Sequence, residues 1–310
     1  MTSVEIPSRE EIAGARERIA PFVRRTPVIA LARPGYELVL KLELLQHTGS
    51  FKPRGAFNEM LSAPVPEAGV IAASGGNFGL AVAYAASRLD HRVEIIVPET
   101  SPEAKIRRVR EQGAKVTVVP GFYAEASEVS LARATETGAR VLHAFDQPAV
   151  VAGQGTLGAE IEEEVPDADT VLVAVGGGGL IGGVASWFRG DVRVVGVEPS
   201  RCATMTAALE AGEPVDGQVG GVAADSLGAA RVGDIAHAAV RDHVDRVVLV
   251  EDDAIVQAQR WFWDELRLVV EPGGAAATAA LHTGAYRPAA GEQIVSLVCG
   301  ANCDPATVTG

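Results

Sequence analysis

Cysteine, positive charge and long apolar runs are all in short supply in this sequence. Three cysteines in 310 residues (Cys202, Cys299 and Cys303) are too few for a disulfide scaffold and fit a reducing compartment. The 27 Lys and Arg are outnumbered by 40 Asp and Glu, for a net charge of −13. Such a chain lacks the basic stripe of a nucleic-acid binder, and an anionic membrane surface would repel it. No apolar run reaches the ~18 residues of a transmembrane candidate. The N-terminal MTSVEIPSREEIAGARERIAPF is polar and charged, without the apolar stretch of a signal peptide. Cytoplasmic residence is therefore expected, with no nucleic acid and no membrane among the partners.

Apolar residues make up 47% of the chain, enough for a sizeable core. The length suggests two domains. Ser8 and Glu11 have capping-box spacing and predict a helix from about Arg9 to Ala20, stopped by Pro21. Residues 36–45 read as a strand, and a short helix follows from Gly55 to Leu61. Strands and helices then alternate, with strands at 70–74, 92–98, 115–119 and 140–143 and helices at 78–88, 101–112 and 123–137. This alternation marks a small parallel-sheet domain. A second series places helices at 154–164, 180–187, 203–211, 253–265 and 274–282. Its strands are 170–175, 193–197, 246–250 and 293–298, the first apolar enough to be buried on both faces. The Gly- and Ala-rich stretch 212–231 reads as a loop lining something. Of Trp261, Phe262 and Trp263, at least two are expected in the core. The fold class is α/β, with two sheets.

One lysine is oddly placed. Residues 49–55 read Gly-Ser-Phe-Lys-Pro-Arg-Gly, with Lys52 between an aromatic and a proline in a Gly-bounded turn. Lysines usually sit in water, so a solvated turn is one reading. An amine held in a pocket for chemistry is the other.

Three further turns carry polar or flexible residues at strand ends. Gly176-Gly-Gly-Gly179 joins the buried strand 170–175 to a helix. Four glycines cost conformational entropy, which makes sense if backbone amides must turn toward a phosphate at a helix N-terminus. A plain flexible turn is the simpler reading. No Gly-Lys-Ser/Thr follows, so this is not a Walker loop. Gly177, Gly179 and Gly182 have dinucleotide-fingerprint spacing, with Glu198 the nearest candidate for its acidic partner. Ser74-Gly-Gly-Asn77-Phe78 also joins a strand to a helix. It could hold a carboxylate, or simply cap the helix. Cys299-Gly-Ala-Asn-Cys303 follows the last strand. It lacks the clustered partners of a metal site, and reads as a structural strand end or as a polar group facing a ligand ring. Together these features suit a pyridoxal-phosphate enzyme: an amine for the cofactor aldehyde, a phosphate cradle, a carboxylate nest and a side chain for the ring.

Ordered motifs along nearly the whole chain resemble the fold-type II pyridoxal-phosphate enzymes, in the serine/threonine dehydratase (threonine ammonia-lyase) and serine racemase branch. They are Arg25-Thr-Pro27, Leu45 to Ala56 (LQHTGSFKPRGA), Ser74-Gly-Gly-Asn77, Ala152-Gly-Gln-Gly-Thr156, Gly176–Gly179, Glu271-Pro-Gly-Gly-Ala275 and Cys299-Gly-Ala-Asn302. The resemblance implies a tryptophan synthase β-like fold, of two open twisted mostly parallel sheets flanked by helices. It implies a large cofactor-binding domain from residues 1–63 and 145–310, and an inserted, mobile small domain from 64–144. It also implies a homodimer.

The resemblance further implies residue roles. Lys52 bonds the cofactor and later takes the Cα proton. Phe51 packs near the ring, Asn77 contacts its 3-hydroxyl, and Gly176, Gly177, Gly178 and Gly179 hold the phosphate. Gly221 and Val222 line the ring edge, and Glu271 belongs to the cofactor site. Cys299 faces the pyridine nitrogen, where a neutral thiol suits elimination. Ser74, Gly75, Asn77, Phe78 and Gln154 bind the amino-acid substrate.

Two departures matter. Racemases of this branch carry a serine where this chain has Gly75, so elimination should dominate over racemisation. Many relatives bind a divalent cation through a Glu matched by Glu198 and a later acid. That acid is Thr204 here, which puts the cation in doubt. The expected reaction is dehydration and deamination of L-threonine or L-serine to a 2-oxo acid and ammonia. Alternatives are β-replacement, elimination from a specialised 3-substituted amino acid, weak serine racemisation, or a non-catalytic ligand-binding paralogue.

Overall fold

The computed structural model describes residues 4–309. It contains two sheets. The larger has six strands: β1 (Val28–Arg33), β2 (Tyr36–Lys41), β7 (Thr170–Ala174), β8 (Arg193–Pro199), β9 (Arg246–Val250) and β10 (Gln293–Leu297). Their order is β1-β2-β10-β7-β8-β9, with only the β1–β2 hairpin antiparallel. The smaller has four parallel strands: β3 (Val70–Ala73), β4 (Val93–Pro98), β5 (Lys115–Val119) and β6 (Arg140–Val141), in the order β5-β4-β3-β6. Parallel pairs need helical crossovers, and these cover the faces. Every residue of β7 is buried, as its unbroken apolar run requires.

The Ser8–Glu11 capping box forms, and the helix it opens runs Arg9–Ile19. Several boundaries differ from expectation. The strand predicted over 36–45 ends at Lys41, because Glu43–Leu45 winds into a 3₁₀ turn. The helix expected from Gln154 begins six residues earlier, as Pro148–Glu164. Proline suits the first helical turn, where its missing N–H would be unpaired anyway. Strand β1 and the helix Asp234–His243 were not anticipated, and the stretch 212–231 contains the short helix Ala224–Leu227. Of the three aromatics in the helix Asp252–Leu266, only Phe262 is fully buried. Trp261 and Trp263 are half-buried, each with an arginine over its ring.

In a parallel sheet all strands end at one edge, and ligands bind there. The turns after β3, β6, β7 and β10 carry Ser74–Asn77, His143–Asp146, Gly176–Gly179 and Cys299–Asn302. Each of the motif-bearing turns therefore sits at the carboxyl edge of its sheet.

Candidate active site

Lys52 is the residue immediately before the helix Pro53–Ser62, with Pro53 in the first turn. The preceding segment is stitched to the end of β10. Phe51 N donates to Cys299 O at 3.1 Å, Ala301 N donates to Gly49 O at 2.9 Å, and Ser50 bridges Gly300. Lys52 Nζ donates to Ala144 O at 3.0 Å and lies 4.9 Å from the Phe51 ring centroid and 5.7 Å from that of Phe78. No carboxylate pairs with this amine among the described residues. Burial pushes it down from 10.5 to about 8, against the opposing pull of Cys299 and Glu271. Half-buried and bonded to Ala144 O, the amine sits in a pocket rather than in an open turn.

Ala144 belongs to the turn between β6 and the helix Pro148–Glu164, and the next residue reaches the glycine run. A Cβ added at Gly177 would overlap the Phe145 ring, and one at Gly179 would lie 2.9 Å from Phe145 Cα. Gly178 takes φ +88°, a left-handed conformation that favours glycine. The glycines are thus required by packing as well as by the turn. The helix Gly179–Phe188 opens there. The amides of Gly177, Gly178, Gly179 and Leu180 meet no acceptor among the described residues. Exposed amides at a helix N-terminus are ready for an anion.

The turn after β3 offers a second such nest. Ser74 Oγ accepts from Gly76 N at 3.3 Å, so this side chain folds back on its own turn. The helix Asn77–Arg88 begins directly afterwards, with no side-chain cap. Phe78 is buried behind it. Gly75 has no side chain, yet a Cβ there would overlap Ser101 Oγ from the turn after β4.

Asn77 joins the two sheets. Its Nδ2 donates to Glu271 Oε1 at 2.8 Å, and its Oδ1 accepts from Asn302 Nδ2 at 2.7 Å. Asn302 N donates to Glu271 Oε2 at 3.1 Å, and Arg108 donates to Asn302 Oδ1 at 2.8 Å. Burial drives the Glu271 carboxyl up to about 7 despite these donors. Cys299 is fully enclosed, and burial, reinforced by Glu271, holds its thiol protonated. Lys52, Phe51, Asn77, Glu271 and Cys299 are thus linked through one set of contacts.

The remaining expected residues lie farther out. Gln154 is 1% exposed, and neither end of its amide has a partner among the described residues. It packs on Gly55, one turn beyond Lys52. Gly221 takes φ +77° against the Asp252 carboxylate, and the Val222 side chain is 41% exposed. Both lead into the helix Ala224–Leu227, where Leu227 Cα would lie 3.0 Å from a Cβ at Gly176. Glu198 is buried, and its oxygens accept from Met205 N at 2.7 Å, Thr206 N at 2.9 Å and Thr206 Oγ1 at 2.7 Å. It caps the helix Thr204–Ala211. No group of three or more metal-ligating side chains gathers among the described residues.

Ala144, Phe145, Ser101 and Arg108 were not singled out from the sequence. Ala144 acts through its carbonyl and leaves no side-chain signal. Phe145 had one, as an aromatic just past a strand end.

These features fit pyridoxal phosphate. The amine is desolvated and unpaired with any acid, the amides at Gly177–Leu180 are free for a phosphate, and a neutral thiol closes the far end. Comparison with known proteins agrees. Residues 19–300 match the family model described as pyridoxal-phosphate dependent enzyme. The chain is 36% identical to a phenylserine dehydratase of Ralstonia pickettii, over 99% of this chain and 97% of that protein. It is 36% identical to an L-threonine ammonia-lyase of Thermotoga maritima, over 95% of this chain and 75% of that one. Among solved structures, a maize serine racemase superposes with a TM-score of 0.91 at 33% identity, covering 98% of this chain and 96% of that one. A threonine deaminase of Solanum lycopersicum superposes at 0.88 and 33% identity, covering 98% and 95%.

Proposed function

This chain belongs to the pyridoxal-phosphate dependent enzymes, and from that premise we propose that it is a lyase. It removes the β-hydroxyl of a 3-hydroxy amino acid, L-threonine or L-serine in the first instance, and yields a 2-oxo acid and ammonia. One observation carries the reading: the Lys52 amine, with no carboxylate paired to it among the described residues, donates to Ala144 O at 3.0 Å and lies 5.7 Å from the ring of Phe78, which follows the carboxylate-ready turn. The relatives named as ammonia-lyase and dehydratase support it.

The cofactor, when bound, supplies the electron sink that makes a Cα–H bond acidic. The chain's own residues do the rest. Gly176–Gly179 would anchor the phosphate by backbone amides. The amides of Gly75, Asn77 and Phe78, with Ser74, receive the substrate carboxylate and orient Cα. Lys52 would then take the Cα proton, burial having lowered its proton affinity below that of a solvated lysine. Asn77 is held for its ring contact by Glu271 and Asn302. Cys299, kept neutral by burial, would put no charge beside the ring nitrogen of the bound cofactor. With the cofactor as sink, loss of the β-hydroxyl as water, with the proton Lys52 took from Cα, would be favoured over return of that proton to Cα. The released enamine hydrolyses to 2-oxo acid and ammonia.

The same proposal takes 64–144 as a small domain that moves against 1–63 and 145–310. Every strand of the four-stranded sheet falls inside that range, and every strand of the six-stranded sheet outside it. Cytoplasmic location and a homodimer are part of the reading. No helix among the described residues is long and apolar enough to cross a membrane.

A second substrate, a 3-aryl-3-hydroxy amino acid, is favoured by one feature. Phe122 and Tyr123, 70% and 45% exposed, follow β5 at the carboxyl edge of the small sheet. The test is to follow 2-oxo acid from L-threonine, L-serine and phenylserine with wild type and Lys52→Ala. Oxo acid from wild type alone supports the lyase. A cofactor spectrum that responds to amino acid without oxo acid would move the search to β-replacement.

A further inference from the structure

Gly75 has no room for a side chain of its own, because a hydroxyl from elsewhere already stands there. A Cβ at this position would overlap Ser101 Oγ and lie 3.0 Å from Ser101 Cβ. Ser101 reaches the place from the turn after β4, where its amide donates to Pro98 O at 2.9 Å. Serines in such turns usually cap the helix that follows. Here the helix Glu103–Glu111 receives no side-chain cap. The Ser101 hydroxyl has no hydrogen-bond partner among the described residues. The neighbouring Ser74 accepts from Gly76 N and keeps its own O–H to donate. The turn therefore combines free amides from one strand end with a free hydroxyl from the next.

We infer that Ser101 is a substrate-binding residue whose hydroxyl donates to the α-carboxylate of the amino acid. The inference rests on the reading that residues 74–78 receive that carboxylate. A carboxylate accepts from several directions at once, and a hydroxyl aimed at it makes a short, charge-assisted bond. The space that a side chain at position 75 would take is thus filled by the hydroxyl of Ser101.

The experiment uses the holoenzyme and two probes read by the cofactor absorbance. One is 2-methylserine, which has a carboxylate but no Cα proton to lose. The other is 1-amino-2-propanol, which has no carboxylate. Ser101→Ala should weaken 2-methylserine about tenfold or more, and change 1-amino-2-propanol less than about twofold. With a turning-over substrate it should raise KM and leave kcat within about threefold, the pattern of lost uniform binding. Gly75→Ser combined with Ser101→Gly returns a hydroxyl from the other side and should recover most of the affinity. Equal weakening of both probes would mean a merely structural serine, and unchanged 2-methylserine binding would remove its role. A wild type that ignores 2-methylserine also overturns the inference. A wild type that binds 2-methylserine but forms no oxo acid from L-threonine, L-serine or phenylserine overturns the lyase and leaves Ser101 standing.

Discussion

Asn77 and Glu271, 194 residues apart in the chain, are joined by a 2.8 Å hydrogen bond from the amide to a carboxyl whose proton affinity burial has raised. That bond connects the turn of the small sheet to the segment beside the end of β10. A titrating group at such a junction gives the protein a pH dependence that can be measured.

The Glu271 carboxyl moves from 4.5 to about 7, chiefly by burial. The folded state then holds a proton that the unfolded state has released, so stability falls as pH rises through this window. The full penalty, roughly 3 kcal/mol, is present above the folded value. Glu271→Gln should lie below wild type at pH 5, where it has exchanged an acceptor for a donor facing Asn302 N. It should gain on wild type steadily up to pH 8. Thermal melts of the apoprotein across that range check this, and a difference that does not vary with pH counts against a buried, titrating carboxyl.

Lys52 has the opposite sense. Its amine is lowered from 10.5 to about 8 by burial. Below the lower value it is charged in both states, and the folded state carries the cost of desolvating it. That cost, about 2–3 kcal/mol, is relieved between the two values as the folded amine sheds its proton first. Lys52→Met should therefore stabilise the apoprotein at pH 7, with the advantage gone by about pH 10.5. The same variant should show no cofactor-dependent colour and no turnover. Urea unfolding at the two pH values separates stability from activity.

Gly177→Ala places a methyl into the Phe145 ring. Overpacking of this kind costs about 1–3 kcal/mol, and here it also displaces a phosphate-facing amide. Cofactor affinity should drop at least tenfold, and the melting temperature of the apoprotein should fall. Adding Phe145→Ala should return stability but not full affinity, because the cavity it opens relaxes the turn. A cofactor titration by fluorescence or absorbance reads the first effect, and calorimetry the second.

Arg54, two residues past Lys52, is 1% exposed and clamped by Glu43 and Glu160. Its Nε donates to Glu43 Oε1 at 2.6 Å and its Nη1 to Glu160 Oε1 at 2.7 Å. Lys41, fully buried, shares Glu160 at 3.0 Å. Removing one partner from such a set leaves uncompensated buried charge, which costs about 3–5 kcal/mol. Arg54→Met should lose that amount in urea unfolding at pH 7. A loss below about 1 kcal/mol would place these charges in the range of exposed pairs.

Much of the site could be read in advance where its chemistry is local. Lys52 beside Pro53 and the four glycines after an apolar strand are set by adjacent residues, and the fold places both at sheet edges. Misreadings came where context outweighs local pattern. Pro148 looks like a breaker but opens a helix. The helix Asp234–His243 follows a Gly-rich stretch that hid its start. Strand β1 has no fully buried residue, exposes Ala30 and Ala32, and pairs on one side only, so its pattern is weak. Glu198, matched by resemblance to a cation ligand, is occupied as a helix cap because its three donors all arrive from the next turn.

The sequence by itself determined the α/β alternation, the strand-end turns and the residue types they carry, because hydrophobic period and glycine content act within a few residues. Only the tertiary structure decided how protonated Lys52 and Glu271 are, and that Ser101 stands in the space beside Gly75. Both depend on burial and on the pairing of β3 with β4, which bring together groups that no local pattern relates.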